Sequence, residues 1–387
     1  MYRMGEAETK RIGQLIQSGK LYRYGGKECS RFEAGWGRHL DLPHVRMTNS
    51  GTSALYAGLV GLGIGPGDQV VVPSYTYMAT ALAVLSTGAI PVVADVDESL
   101  TLSPRDLERR ITKYTRAVVP VHMVGLPCNM KKIMRIARKH KLLVMEDACQ
   151  AVGGGYEGKM LGAIGHAGGF SFNFFKNISC GEGGAFVSAS PEIFERGSVA
   201  VDCCQYYWNP EEYREEAQFA GHNFRASELQ GAVLNVQLRR LEGMLSRMRQ
   251  HKKELLQIGL DAGLKSIVNN SLDYECGTHL GFIFDDEVAA RTFSQDLQAH
   301  GVGNFLPMDT GRHVYTYWDP IMRRQGAHHP ALDPFKLKAN KKCRIKYTMD
   351  MCQDSLDILN RSVLIGMHPD NTRGRIGAMG KAIQAAA

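Results

Sequence analysis

Four short apolar runs between residues 69 and 146, each separated from the next by a stretch with helical spacing, constrain the fold more than any other feature. Residues 69–73 (QVVVP), 91–95 (PVVAD), 117–121 (AVVPV) and 142–146 (LLVME) read as buried strands. Residues 53–62, 79–86, 104–111 and 130–140 read as the helices around them, the third with Ser103 as cap and Pro104 at its first position. Strands this short and this apolar, alternating with helices, predict parallel βαβ units and a sheet covered on both faces. A sheet of that kind binds ligands beyond the carboxyl ends of its strands, so the residues just after each run are the ones to inspect.

The rest of the chain is less regular. The first forty residues read as short pieces, with the glycine-broken turn LYRYGG at 21–26. A long charged helix is predicted over 226–256, then a strand at 280–284 and a helix at 289–300. We therefore expect a large domain over residues 1–256 and a smaller α+β domain over 257–387.

With 387 residues, 44% of them hydrophobic and 22% charged, the chain can bury a large core, which excludes a disordered or fibrous protein. The net charge of +7 is mild for this length. Its densest basic stretch, 336–346, has three readings: a solvated surface, contact with an anionic substrate, or contact with nucleic acid. The nine cysteines include no C-x-x-C, so zinc and thioredoxin spacings are missing, and no metal site is expected. The opening MYRMGEAETKRIGQ has no signal-peptide core, and no run approaches eighteen apolar residues. A cytoplasmic protein without a membrane span is the expectation.

Several motifs fail on spacing. GLGIGPG (61–67) places Pro66 where a dinucleotide fingerprint needs glycine, and it precedes a strand instead of following one. No G-x-x-x-x-G-K-[ST], H-E-x-x-H or G-x-S-x-G occurs, and His328–His329 have no further ligand at useful spacing. Three other features remain. Asn49-Ser50-Gly51-Thr52-Ser53 opens a helix with small and hydroxylated residues, which suits either an ordinary cap or a bound phosphate. Asp147 ends the fourth strand in MEDACQ, with Gln150 three residues on. Lys176 stands alone among uncharged aromatic residues in GGFSFNFFKN, where burial would disfavour its ammonium form and make it a nucleophilic amine. Each has a purely structural reading on its own. Together they are the parts of a pyridoxal-phosphate site: a phosphate cradle, a carboxylate for the pyridine nitrogen, and a lysine for the aldehyde.

At these residues the chain resembles the DegT/DnrJ/EryC1/StrS family of sugar aminotransferases. The resemblance rests on SGTSAL (50–55), residues 63–97, 117–130 and 144–187, and GHNFRASELQGAVLNVQLRRL (221–241), with LYRYGG and RFEAGW agreeing. It implies fold type I of the pyridoxal-phosphate enzymes, with a mostly parallel, seven-stranded sheet in the large domain. It further implies Lys176 as the Schiff-base lysine, Asp147 at the pyridine nitrogen and Gln150 near the phenolic oxygen. Gly51, Thr52 and Ser171 would meet the phosphate, with Ser53 beside them, and Tyr77 would stack on the ring. Asn223 would reach the phosphate of a neighbouring subunit, giving a homodimer with shared sites. The implied reaction moves an amino group from glutamate or glutamine to a keto-sugar, nucleotide-linked or not, or to a keto-cyclitol. The alternatives are dehydration or epimerisation on the same scaffold, and a non-catalytic regulatory or nucleic-acid-binding protein. One branch of the family carries histidine in place of the lysine and dehydrates; Lys176 favours transamination.

Overall fold

The computed structural model describes residues 4–387 apart from 204, 211–214, 216–217 and 344. Among the described residues the large sheet has seven strands: β1 (His44–Thr48), β2 (Gln69–Pro73), β3 (Ile90–Ala94), β4 (Thr115–Val118), β5 (Leu143–Asp147), β8 (Ala167–Ser171) and β9 (Gly184–Ser188). A small hairpin, β6 (Gly155–Tyr156) with β7 (Lys159–Met160), lies between β5 and β8 in the chain. The strand order is β1-β9-β8-β5-β4-β2-β3. Neighbours from β8 through β3 are parallel, whereas β9 pairs antiparallel with both β8 and β1. The four strands predicted from apolar runs are all present, shifted by at most three residues. Strands β2, β3 and β8 are buried at every position, which is why β2 and β3 read as continuous apolar runs.

Strands β1, β8 and β9 fall outside the sequence prediction. In β8 (AGGFS) a Cβ on Gly168 would lie 2.1 Å from the Gly162 carbonyl oxygen, and one on Gly169 2.8 Å from Leu55. Close packing requires glycine here, and glycine weakens the strand signal.

The amino-terminal segment corrects the reading of short pieces: it forms two helices, Glu6–Ser18 and Glu28–Leu40. The second buries Cys29, Phe32, Trp36 and Leu40 on one face. Its start is capped from a distance, because the Glu228 carboxylate accepts from the backbone N–H groups of Glu28 (2.5 Å) and Cys29 (3.1 Å). A cap two hundred residues away leaves no local trace in the sequence.

A second, antiparallel sheet has the order β10 (His279–Ile283), β12 (Ser362–Gly366), β11 (Asn304–Phe305). The helix Glu228–Asp261 connects the two parts. Near its start Gly231 lies against Cys29, and near its end Gly259 lies against Phe282. No helix is long and apolar enough to cross a membrane among the described residues.

The segment between β11 and β12 folds back over the large sheet. Tyr315, Trp318 and Ile321 are fully buried, and the Tyr347 hydroxyl donates to the Pro91 carbonyl at 2.6 Å. Asn340 is buried and its side chain makes three bonds to backbone groups, accepting from Gly67 N–H (2.5 Å) and donating to the carbonyls of Gly88 (2.8 Å) and Pro334 (2.7 Å). Asn340→Leu would strand those backbone groups, so we expect a stability loss of about 3 kcal/mol. A lower urea midpoint at unchanged m would register it; an unchanged midpoint would show the anchor to be dispensable. Lys336, Lys338, Lys341, Lys342 and Lys346 point to solvent on this segment, with Lys336 3.4 Å from Asp333, while Arg344 lies outside the described residues. Asn340 and Cys343, within the cluster, contact Gly67, Gln69 and Gly88 at the amino ends of β2 and β3. That is the end of the sheet opposite to Asp147 and Ser171.

Candidate active site

The carboxyl ends of β1, β2, β5 and β8 each deliver residues to one place. After β1, Ser50 caps the helix Gly51–Gly61 by accepting from Ser53 N–H at 3.1 Å. That helix packs so closely on β8 that a Cβ on Gly51 would sit 2.7 Å from Ser171 Cβ and 2.9 Å from Cys149 Sγ. After β2 come Tyr77 and, one helical turn on, Thr80. Asp147 ends β5 and Ser171 ends β8.

These residues enclose a cavity of about 220 Å³, lined by Gly51, Thr52, Tyr77, Thr80, Asp147, Gln150, Ser171 and Lys176 among others. Both oxygens of Asp147 are held. Oδ2 accepts from the Thr80 hydroxyl at 2.7 Å, and Oδ1 from Cys149 N–H at 3.0 Å. Thr80 was missed by sequence reading. Its position three residues after Tyr77, at the start of a helix that begins beyond a strand's carboxyl end, is the signal that could have found it.

Lys176 is presented by the loop between β8 and β9. Phe172 anchors this loop in the core, edge-on to Phe32 and Trp36. A turn at Asn173 follows: its side chain accepts from Phe175 N–H (3.1 Å) and its carbonyl from Lys176 N–H (3.0 Å). Burial lowers the Lys176 pKa below its ordinary value; Cys149, Asp147 and Glu182 offset part of that effect. Burial likewise pushes the Cys149 thiol well up, with Asp147 adding to it, so the sulfur stays a neutral wall atom.

A second cavity of about 770 Å³ adjoins the first and shares Tyr77, Gln150, Asn173 and Lys176 with it. Its far wall comes from Thr278 and His279 around the start of β10 and from residues 309–313. Burial lowers the pKa of His279 to about 4, and its Nδ1 lies 2.9 Å from the Val124 carbonyl oxygen, which a neutral ring satisfies by donating. Gln150 accepts from Val124 N–H at 3.3 Å. None of this outer wall was singled out in the sequence.

Seven of the nine residues named from the sequence therefore line the inner cavity: Gly51, Thr52, Tyr77, Asp147, Gln150, Ser171 and Lys176. Two do not. Ser53 uses its N–H on Ser50 and its hydroxyl on Asn49 Oδ1 (2.7 Å), so it completes the helix cap. Asn223 is exposed and pairs through its backbone with Asp202, outside the lining of either cavity in the single chain.

Residues 2–304 match the DegT/DnrJ/EryC1/StrS aminotransferase family. The chain belongs to this family. It is 40% identical over 258 residues to the dTDP-3-amino-3,4,6-trideoxy-alpha-D-glucose transaminase of Streptomyces venezuelae, covering 66% of this chain and 65% of that one. It is 38% identical over 226 residues to the GDP-perosamine synthase of Caulobacter vibrioides, covering 57% of this chain and 59% of that one. The matched stretches thus span less than two thirds of these curated relatives. Over full length it resembles the crystal structure of S. venezuelae DesV in complex with a ketimine intermediate, with a TM-score of 0.77, 30% identity, and coverage of 98% and 93%. The α/β fold expected from the resemblance is the one observed.

Proposed function

We propose that this DegT/DnrJ/EryC1/StrS member is a pyridoxal-phosphate-dependent aminotransferase that moves an amino group from glutamate or glutamine to a keto-sugar. The observation that carries the reading is the meeting of Lys176, Asp147 and the amino end of the Gly51–Gly61 helix at one small cavity, with a larger one opening beside the lysine. A nucleotide-linked sugar is the favoured acceptor, because two relatives bear the names of nucleotide-sugar enzymes. A keto-cyclitol is the second choice. We further propose a cytoplasmic homodimer and a division into domains after residue 256.

The residues present fit the cofactor. The close approach of helix to strand at Gly51 leaves room for a phosphate among the helix N–H groups and the hydroxyls of Thr52 and Ser171. When bound, pyridoxal phosphate supplies an aldehyde for the amine and a pyridinium ring that draws electrons from the bond being broken. Asp147, held by Thr80 and by Cys149 N–H, would keep the proton on the ring nitrogen. Tyr77 would hold the ring and Gln150 would serve its phenolic oxygen. Lys176 would hold the cofactor, and its amine in the basic form would move a proton from the substrate carbon. Burial keeps that amine in its basic, uncharged form over more of the pH range.

Two measurements test the reading. A panel of keto-sugars, with and without a nucleotide, is scored for return of the pyridoxamine form to the pyridoxal form; no acceptor among them would remove the sugar assignment. The shared site is tested by mixing Lys176→Ala with Asn223→Ala, each strongly impaired alone. Subunit exchange should restore up to about half of normal activity per heterodimer, since one of its two sites is then wild-type. Confirmed heterodimers without recovery would place both residues in the same chain's site.

A further inference from the structure

We propose that Arg312 is a specificity-determining residue that receives an oxyanion carried by one of the substrates, a carboxylate or a phosphoryl group. This rests on the aminotransferase reading above and adds to it the chemistry of the substrate end that points away from Lys176. Three ionic side chains line the 770 Å³ cavity among the described residues: Lys176, Asp309 and Arg312. Asp309 is already matched, with Arg291 reaching both of its oxygens at 3.2 Å. Lys176 is committed to the reaction. The Arg312 guanidinium has neither an ion pair nor a hydrogen bond among the described residues.

Its backbone, in contrast, is firmly held. The Arg312 carbonyl accepts from the Trp318 indole at 3.2 Å, and the carbonyl of His313 accepts from Thr76 N–H at 2.8 Å. Tyr315 N–H donates to Ser74, and Tyr75 bridges Val314, so the segment is stitched to the strand end that carries Tyr77. The guanidinium itself is exposed and unpaired at the cavity, so on this fixed backbone it is available as a two-pronged donor to a carboxylate or phosphate. Beside it, His313 lines the same cavity with a buried Nδ1 that has no protein partner. Burial and the neighbouring cations hold that ring neutral, with a pKa of about 4, so it offers a hydrogen bond without a second charge. Both residues lie past residue 304, where the family match stops.

The test compares holoenzyme with Arg312→Gln and Arg312→Lys, each checked for retained cofactor absorbance. Calorimetry measures binding of glutarate, which carries the carboxylates of glutamate, and of thymidine diphosphate, which carries the phosphoryl groups of a nucleotide-linked acceptor. Arg312→Gln should weaken one of the two by about tenfold to a hundredfold, with partial recovery in Arg312→Lys. Loss of glutarate assigns the carboxylate, and loss of thymidine diphosphate assigns the phosphoryl group. A wild-type protein that binds neither probe, or an Arg312→Gln protein that binds both as tightly as wild type, overturns the proposal. Binding is read without turnover. A weakened probe therefore stands even where no amino transfer is found, and an unaltered Arg312→Gln beside an active wild type removes Arg312 alone.

Discussion

Lys176→Ala will fold and still take up cofactor reversibly, but its turnover will fall by about four orders of magnitude or more. The fold should survive because the Lys176 ammonium makes no hydrogen bond or ion pair among the described residues, and its burial disfavours the charged form. That burial has a signature of its own. Between the lowered folded pKa and the ordinary value near 10.5, the unfolded chain binds more protons than the folded one. Cofactor-free wild type should therefore gain stability as pH rises through that window, and Lys176→Ala should lack this gain. Borohydride should fix the cofactor to Lys176 in wild type. Label on another lysine, or near-normal turnover of the variant, would remove Lys176 from the chemistry.

The second large effect is expected at Asp147. An asparagine keeps the local bonding: its Oδ1 can still accept from Cys149 N–H, and its amide can donate to Thr80 Oγ1. The Thr80 hydroxyl then turns to Thr76, whose oxygen lies 2.8 Å away. Only the charge is lost, and with it the proton on the pyridine nitrogen. We expect Asp147→Asn to slow turnover by about two orders of magnitude or more, roughly 2.7 kcal/mol, with little change in thermal midpoint. A variant with normal turnover would make the carboxylate a structural strand end.

Both residues were legible in the sequence because their surroundings are local. The run LLVME announces the strand that Asp147 ends, and the aromatic stretch around Lys176 announces burial. The helix start at 49–53 was equally readable, although only the structure separates Ser53, which caps, from Thr52, which lines the cavity. What stayed hidden depends on distant parts of the chain. The helix Glu28–Leu40 is capped by Glu228, β8 is glycine-rich because the turn at Gly162 and the helix carrying Leu55 crowd it, and Arg312 reaches the cavity only because Tyr315 and Trp318 anchor its segment beneath the strand ends. The same holds for Asn340, whose side chain bonds backbone groups of two other loops, at Gly67 and Gly88. Periodicity reports an element's own burial, and none of these features is encoded in an element's own burial.

The most direct test of the account is a single half-reaction. Purified holoenzyme is mixed with glutamate in the absence of any acceptor, and 2-oxoglutarate is quantified against the conversion of bound cofactor to its pyridoxamine form. The account predicts one 2-oxoglutarate per site, at matching rates, and none from Lys176→Ala; if glutamine is the donor, the product counted is 2-oxoglutaramate. Bound pyridoxal phosphate that neither amino acid converts would contradict it.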